Sequence, residues 1–358
     1  MNDTMLYDTM LYDATTDDIA RVLAGQPAYR VKQVWQALYE QLRAPGDITN
    51  LPVAARNDLA TALPESLLWK TESTDATGDT VKFLWNLREG GHPIETVLML
   101  YPDRATVCVS TQAGCAMACG FCATGQAGFN RHLTSGEIVE QVVKAARRAR
   151  EIGRRVSNIV FMGMGEPLAN EAATRSAVER IHDDIGISAR HLTVSTVGII
   201  PGIRQLAEWP LPVNLAVSLH AARDELRNEL VPINKRYPLN DLVAACNDYL
   251  IERRRRVSFE WALIDRVNDT QRDANELARL CKRLRPNAHV NLIPLNPTPG
   301  WPTRGSSPQR VREFADTLTG LGVNATVRRN RGTDIDAACG QLAAGQTITP
   351  VRFGRADD

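Results

Sequence analysis

Between Thr16 and Leu63 the apolar positions recur at helical spacing. In PAYRVKQVWQALYEQL, the residues Val31, Val34, Trp35, Leu38 and Leu42 form one apolar stripe, which predicts a small helical unit. From 68 to 110 the pattern changes. TVKFLWNL, PIETVLMLY and ATVCVS are β-rich runs separated by the turn signals EGGH and PDR. Beyond that point apolar, β-branched runs occur at NIVFMGM (158–164), HLTVST (191–196), NLAVSL (214–219), SFEWALI (258–264), HVNLIPL (289–295) and NATVRR (324–329). Helical stretches lie between most of them, at 135–152, 239–254, 270–284 and 307–322; the first opens with Thr134 and Glu137 in capping-box spacing. Near-continuous apolar strands alternating with helices predict an α/β fold whose parallel sheet is buried on both faces. Six or seven such units are too few for an eightfold barrel and suit a partial (βα)6-type barrel.

The expected organisation is therefore an N-terminal helical domain at 1–66, a β-rich connection at 67–105, the partial barrel at 106–345 and a tail at 346–358. The chain begins with a direct repeat, TMLYD at 4–8 and again at 9–13, which reads as a frayed, duplicated leader without a function.

Bulk composition changes this picture little. Apolar residues make up 44% of the 358 and charged residues 23%, as in ordinary globular chains. Lys and Arg number 42 against 41 Asp and Glu, so any nucleic-acid surface must be a local patch. No apolar run approaches the roughly 18 residues of a membrane span. The acidic start lacks the apolar core of a secretory signal, so the expected location is the cytoplasm. In that reducing compartment clustered cysteines suggest metal binding or catalysis rather than structural disulfides.

Four of the seven cysteines lie in TVCVSTQAGCAMACGFC. Cys115, Cys119 and Cys122 follow C-x3-C-x2-C in a Gly-rich loop just after a strand, where barrel chemistry sits. Three thiolates do not complete a tetrahedral structural zinc site. On a 4Fe-4S cluster they would leave one iron open to an outside ligand. Zinc with a distant fourth ligand, or a redox pair, remains the alternative. The next strand ends in NIVFMGMGEP. Its glycines Gly163 and Gly165 lack the third glycine and the helix start of a dinucleotide-binding turn. Instead Glu166 is presented at the same barrel mouth, able to receive an ammonium group.

The cysteine loop followed by GEP resembles the radical S-adenosylmethionine superfamily. The blocks RATVCVSTQAGCAMACGFCATGQAGFNRHL, FMGMGEPLAN, AVSLHA, LVPINK, NLIPLNPTPG and RGTDIDAACGQLAAG are similar, in order, to those of the RlmN/Cfr type of RNA methyltransferase. The resemblance covers almost the whole chain, with GQPAYRVKQVWQALY similar to that family's accessory RNA-binding domain. It implies a 4Fe-4S cluster on Cys115, Cys119 and Cys122, with S-adenosylmethionine on the open iron. It also implies a cofactor site made by Gly165, Glu166, Ser195, Ser218, Leu219, His220 and Asn296.

Cys339, in DAACGQL, would alone read as a small buried apolar residue. By resemblance it is the cysteine that S-adenosylmethionine methylates. A 5′-deoxyadenosyl radical then takes hydrogen from the S-methyl group, and the resulting carbon radical adds to an adenine carbon too electrophilic to attack a sulfonium directly. Cys108 is implied as the resolving thiol, forming a transient disulfide with Cys339. Glu95 is implied as the proton acceptor. Cys246 and Cys281 fall in helical patterns and read as core.

Basic clusters occur at 147–155, 252–257 and 327–332; the first two read as solvated helix faces, and the third, just before Cys339, as a phosphate contact. The target base must leave its stack, so a loop or bulge is the expected substrate. The resemblance implies 23S rRNA and tRNA as partners, a flavodoxin or ferredoxin as electron donor, and a monomer. The reading is adenine-C2 methylation; C8 methylation, or a metal-containing RNA-binding module without catalysis, are the alternatives.

Overall fold

A computed structural model describes residues 9–345 other than Asn287 and Pro299. The predicted tail and the first TMLYD copy lie outside these residues. Three helices open the chain: α1 (Thr16–Val22), α2 (Tyr29–Tyr39) and α3 (Val53–Ala62). Thr15 caps α1 in a capping box with Asp18. The stripe of α2 turns inward as predicted: Val34 and Leu38 are fully buried, and Val31 and Trp35 pack against the core.

Four strands follow as an antiparallel meander: β1 (Leu67–Thr74), β2 (Thr80–Leu87), β3 (Pro93–Leu100) and β4 (Ala105–Cys108). A small ribbon, β5 (Gln112–Gly114) with β6 (Phe129–His132), frames the cysteine loop and its short helix α4 (Ala123–Ala127). Helices and strands then alternate through α5 (Ser135–Glu151), β7 (Val156–Phe161), α6 (Glu171–Asp183), β8 (Leu192–Thr196), α7 (Ile200–Glu208) and β9 (Asn214–Ser218). The remainder is α8 (Asp224–Leu230), α9 (Leu239–Arg253), β10 (Val257–Leu263), α10 (Gln271–Cys281), β11 (His289–Pro294), α11 (Pro308–Gly320) and β12 (Ala325–Val327).

One ten-stranded sheet runs β1-β2-β3-β4-β7-β8-β9-β10-β11-β12. From β4 onward every neighbouring pair is parallel, giving seven parallel strands in chain order. The order ends at β1 and β12 without their pairing, so the barrel is partial, as the count of βα units predicts. Aromatic packing such as Trp261 of β10 against Phe314 of α11, 5.9 Å between rings, seals helices onto the sheet.

The duplicated leader needs correction, because its second copy is built into the core. Leu11 and Tyr12 are buried. The Tyr12 hydroxyl accepts from Arg147 Nη2 of α5 at 3.0 Å, its carbonyl accepts from Arg180 of α6, and its ring meets Tyr39 edge-on. The Asp13 carboxylate accepts from the Thr134 hydroxyl and the Gly136 amide, both at 2.7 Å, at the start of α5. The basic run at 147–155 is a solvated face only in part: residues 150–155 are exposed, but its arginines also bond across to other elements. Arg147 pairs with Glu65 and donates to the Leu42 carbonyl, Arg148 pairs with Glu72, and Arg150 donates to the carbonyls of Glu40 and Gln41. It fastens the N-terminal helices to the barrel.

Candidate active site

The cysteine loop leaves β5 and returns through β6. The Cys115 amide donates to the Gly128 carbonyl at 2.7 Å, and the Cys122 amide to the Cys119 carbonyl at 3.1 Å. A Cβ on Gly125 would stand 2.8 Å from the Cys119 carbonyl oxygen, so glycine lets α4 press on the middle cysteine. All three cysteines line one cavity of about 160 Å³ at the carboxyl ends of the strands. Burial pushes the Cys115 thiol up to about 12 and Cys119 well above its usual value.

At the end of β7, Gly165 takes a φ of +102° and lies so close to Gln112 that a Cβ would meet that side chain at 2.6 Å. This turn aims Glu166 into the same cavity. Its two carboxylate oxygens accept from the Leu168 amide at 3.0 Å and the Val197 amide at 2.8 Å. Burial nevertheless lifts the Glu166 carboxyl to about 7, against the pull of these amides.

Ser195, Ser218, His220 and Asn296 join this lining from the ends of β8, β9 and β11. His220 sits at φ +58°, and its Nδ1 accepts from the Ala262 amide at 3.0 Å; burial and then Arg227 hold it down to about 3, hence neutral. Asn296 Nδ2 donates to the Cys339 carbonyl at 3.0 Å, while its buried Oδ1 has no partner and is free to accept from a ligand. Leu219 is the exception among the proposed cofactor residues, since its side chain is buried in the core and absent from the lining.

A second, larger cavity of about 760 Å³ adjoins the first, and Cys122, Arg328 and Cys339 line both. Cys339 is exposed, and Cys108 opens onto the larger cavity. All seven cysteines are free, and no disulfide joins Cys108 to Cys339. Glu95 lines neither cavity and is not solvent-facing; it is buried, paired with Lys82 at 3.0 Å, and accepts from the Ala344 amide at 3.1 Å. It thus anchors the loop that carries Cys339.

Two groups escape motif reading. Arg227 is fully buried beneath the cavity and donates to the carbonyls of Val197 (2.6 Å), Leu219 (3.0 Å) and Ser218 (3.2 Å) and to Asn234 Oδ1 (2.7 Å). Only its place beside the LVPINK block hints at this. Glu260 is also buried, 3.8 Å from Arg328 and accepting from Asn291 at 2.7 Å. Its neighbours were read as a plain apolar strand.

Comparison with known proteins places this arrangement. Residues 109–281 match the model of the radical SAM superfamily. A Chloroflexus aurantiacus protein named "probable dual-specificity RNA methyltransferase RlmN" is 49% identical over 90% of this chain and 89% of its own length. A Mycobacterium marinum protein of the same name is 51% identical over 89% and 90%. The crystal structure of a radical SAM methyltransferase from Sphaerobacter thermophilus superposes with a TM-score of 0.89, at 51% identity, over 94% of this chain and 99% of that one. The chain belongs to the RlmN family of radical SAM RNA methyltransferases.

RlmN-family membership implies a 4Fe-4S cluster and S-adenosylmethionine, and the donor set suits them. Cys115, Cys119 and Cys122 line one cavity and would hold the cluster there. Iron would take the place of the protons that burial keeps on Cys115 and Cys119. Glu166, Ser195, Ser218 and Asn296, whose Oδ1 is unpartnered, line the same cavity and would meet the polar end of an amino-acid-like ligand there.

Proposed function

We propose that the chain methylates carbon C2 of adenosine in 23S rRNA and tRNA, with Cys339 carrying the methyl group and Cys108 releasing the product. The observation behind this reading is that Cys339 belongs to the wall between two cavities: one holds the three cysteines and Glu166, the other reaches Cys108. Cys115, Cys119 and Cys122 hold the cluster, and Glu166 receives the ammonium group of S-adenosylmethionine. Cys339 first displaces a methyl group from the sulfonium; desolvation by the surrounding walls raises its thiol above the usual value although the residue is exposed, and Arg328 opposes that rise by favouring the thiolate this step needs. The bound cluster and cofactor supply a 5′-deoxyadenosyl radical by one-electron reductive cleavage. That radical takes a hydrogen atom from the S-methyl group and leaves as 5′-deoxyadenosine; the carbon radical left on Cys339 adds to C2 and joins chain and RNA through a thioether, and the unpaired electron of the adduct would go back to the bound cluster that supplied it.

Glu95 accepts the C2 proton. Because Ala344 donates to its carboxylate, the Cys339 loop must release that contact first. Cys108 then gives up its proton and attacks the Cys339 sulfur, forming the disulfide and breaking the sulfur–carbon bond, and the freed methylene carbon takes up a proton to become the methyl group of the released RNA. Burial holds the Cys108 thiol well above its usual range, which keeps it protonated until that step. A flavodoxin or ferredoxin is the electron donor in this scheme, and the chain acts as a cytoplasmic monomer. No helix among the described residues is long and apolar enough to cross a membrane.

The test is nucleoside mass spectrometry after anaerobic incubation of the reconstituted protein with S-adenosylmethionine, a reductant and an rRNA fragment. The expected product is 2-methyladenosine, with Cys108→Ala found covalently attached to RNA. Formation of 8-methyladenosine would move the chain to the C8 branch. No product from a protein with an intact cluster would leave only a binding role.

A further inference from the structure

The interior of a parallel barrel is ordinarily packed with Val, Ile and Leu. Here the inward positions toward the amino ends of the strands are polar, and the larger cavity occupies the space. Asn158 of β7, Asn214 of β9, and His289 and Asn291 of β11 line it, alternating with buried apolar neighbours such as Ile159, Leu215, Val290 and Leu292. Six arginines and two histidines line this cavity, and no acidic residue does. Arg190 stands just ahead of β8 and Arg256 just ahead of β10, on the floor opposite the cysteine loop.

His289 is the focus of that floor. It is buried to 8% exposure, lines the cavity, and its Nδ1 has no hydrogen-bond partner. The side chains of Asn291 and Asn324 hydrogen-bond to the ring, while burial and the nearby Arg256 and Arg328 disfavour a charge on it. Glu260 lines the other cavity and faces Arg328 and Asn291. A buried imidazole nitrogen without a partner, beside guanidinium groups and away from any carboxylate on the lining, suits an oxyanion that accepts from several donors at once.

We propose that the barrel floor at His289, Arg256 and Arg190 is a phosphate-binding subsite that holds the backbone of the RNA beside the target nucleotide. This rests on the RNA reading above and adds to it a second anchoring point. His289 lies four residues before Ile293, which borders the Cys339 cavity, so the floor is roughly 13 Å from the reacting layer along β11. A base extended toward Cys339 would leave its backbone phosphates on the floor side.

The experiment titrates a fluorescent anticodon stem-loop RNA into reconstituted enzyme at several salt concentrations. The proteins are wild type, Arg256→Gln, Arg190→Gln, His289→Gln and, as a control, Arg279→Gln on the exposed side of α10. Losing one charge-assisted phosphate contact should weaken binding about tenfold at low salt. It should also reduce the slope of log affinity against log salt by about 0.7 for each arginine, with the control unchanged. His289→Gln should weaken binding without changing the slope, because the neutral ring contributes no charge. Wild-type affinity and slope in both arginine variants would overturn the proposal. In a parallel arm inorganic phosphate competes with the RNA. Competition that is lost in Arg256→Gln while the RNA slopes stay unaltered would mean that the floor takes free phosphate, and the RNA assignment falls. Failure of wild type to bind RNA at all would overturn the RNA reading itself. Phosphate binding by wild type but not Arg256→Gln would then preserve the floor as an anion site and reject RNA as its source.

Discussion

Replacing Arg227 with methionine tests whether the loops behind the cofactor cavity are held by one buried cation. The guanidinium donates to four acceptors on the loops after β8 and β9 and after α8, at 2.6 to 3.2 Å, and is fully buried. Burial lowers its pKa to about 10, so it stays charged at neutral pH. Methionine fills most of the volume and removes the cost of desolvating the charge, but leaves the acceptors unpaired. Each buried oxygen left without a donor costs about 1–3 kcal/mol, and with the recovered desolvation cost set against the four of them a net loss of about 3–5 kcal/mol is expected. With an unfolding entropy of about 2.1 cal/mol/K per residue, a chain of this length has about 0.7 kcal/mol/K, so Tm should fall by about 4–7 °C. Arg227 also lies close enough to Cys119 to favour its thiolate. The variant should therefore take up less iron at a given sulfide and iron concentration. The assay is differential scanning fluorimetry of the apoprotein, followed by iron and sulfide analysis after reconstitution. Arg227→Lys keeps the charge but not the planar fork, and should recover iron loading better than Tm. A methionine variant melting within 1 °C of wild type, with full iron content, would refute the reasoning.

Three further outcomes are expected. Tyr12→Ala should cost about 3–5 kcal/mol in urea unfolding, because a buried ring and its link to Arg147 are lost; a leader segment would cost nothing. For Glu166 the folded carboxyl is raised to about 7 from an ordinary 4.5, so between those pH values the unfolded chain ionises first and the folded state is disfavoured. Relative to Glu166→Gln, the wild-type apoprotein should lose up to about 3 kcal/mol as pH rises from 4.5 to 7, measured by urea midpoints across that range. S-adenosylmethionine binding should nevertheless weaken in the glutamine variant. Alanine at Cys115, Cys119 or Cys122 should abolish the cluster's visible absorbance, whereas alanine at Cys246 or Cys281, both buried in the core, should leave it intact.

The parallel strands were legible because their apolar runs are long and the turns between them are marked, and the boundaries of the longer helices agree within about three residues. β1 was not. Its residues Trp69, Lys70 and Thr71 are exposed, so no alternation distinguishes the strand, and its place is set by pairing with β2. The cysteine triplet and Glu166 carry their chemistry in spacing alone. Arg227, Glu260 and His289 do not, because their meaning lies in which carbonyls, charges and empty space surround them. HVNLIPL looked apolar throughout, yet its polar residues His289 and Asn291 fall at period two, and that alternation was the available sign of a polar interior.

How Cys339 is mounted bears directly on the two-cavity scheme. Every contact that fixes its loop is made by the backbone or by other side chains. Asn296 holds the Cys339 carbonyl, the Ala123 amide donates to the Gly340 carbonyl, the Thr124 hydroxyl donates to the Leu342 carbonyl, and Gln341 bridges Ala338 to Pro297. None of these bonds uses the thiol. The thiol bonds only locally, to its own backbone, and Cys339 borders both cavities. Two of the clamps, Ala123 and Thr124, belong to α4, the helix that follows directly from Cys122. Filling the cysteine loop with its cluster should therefore steady the Cys339 loop as well, and loss of the cluster should loosen residues 337–344 together with the cysteine loop.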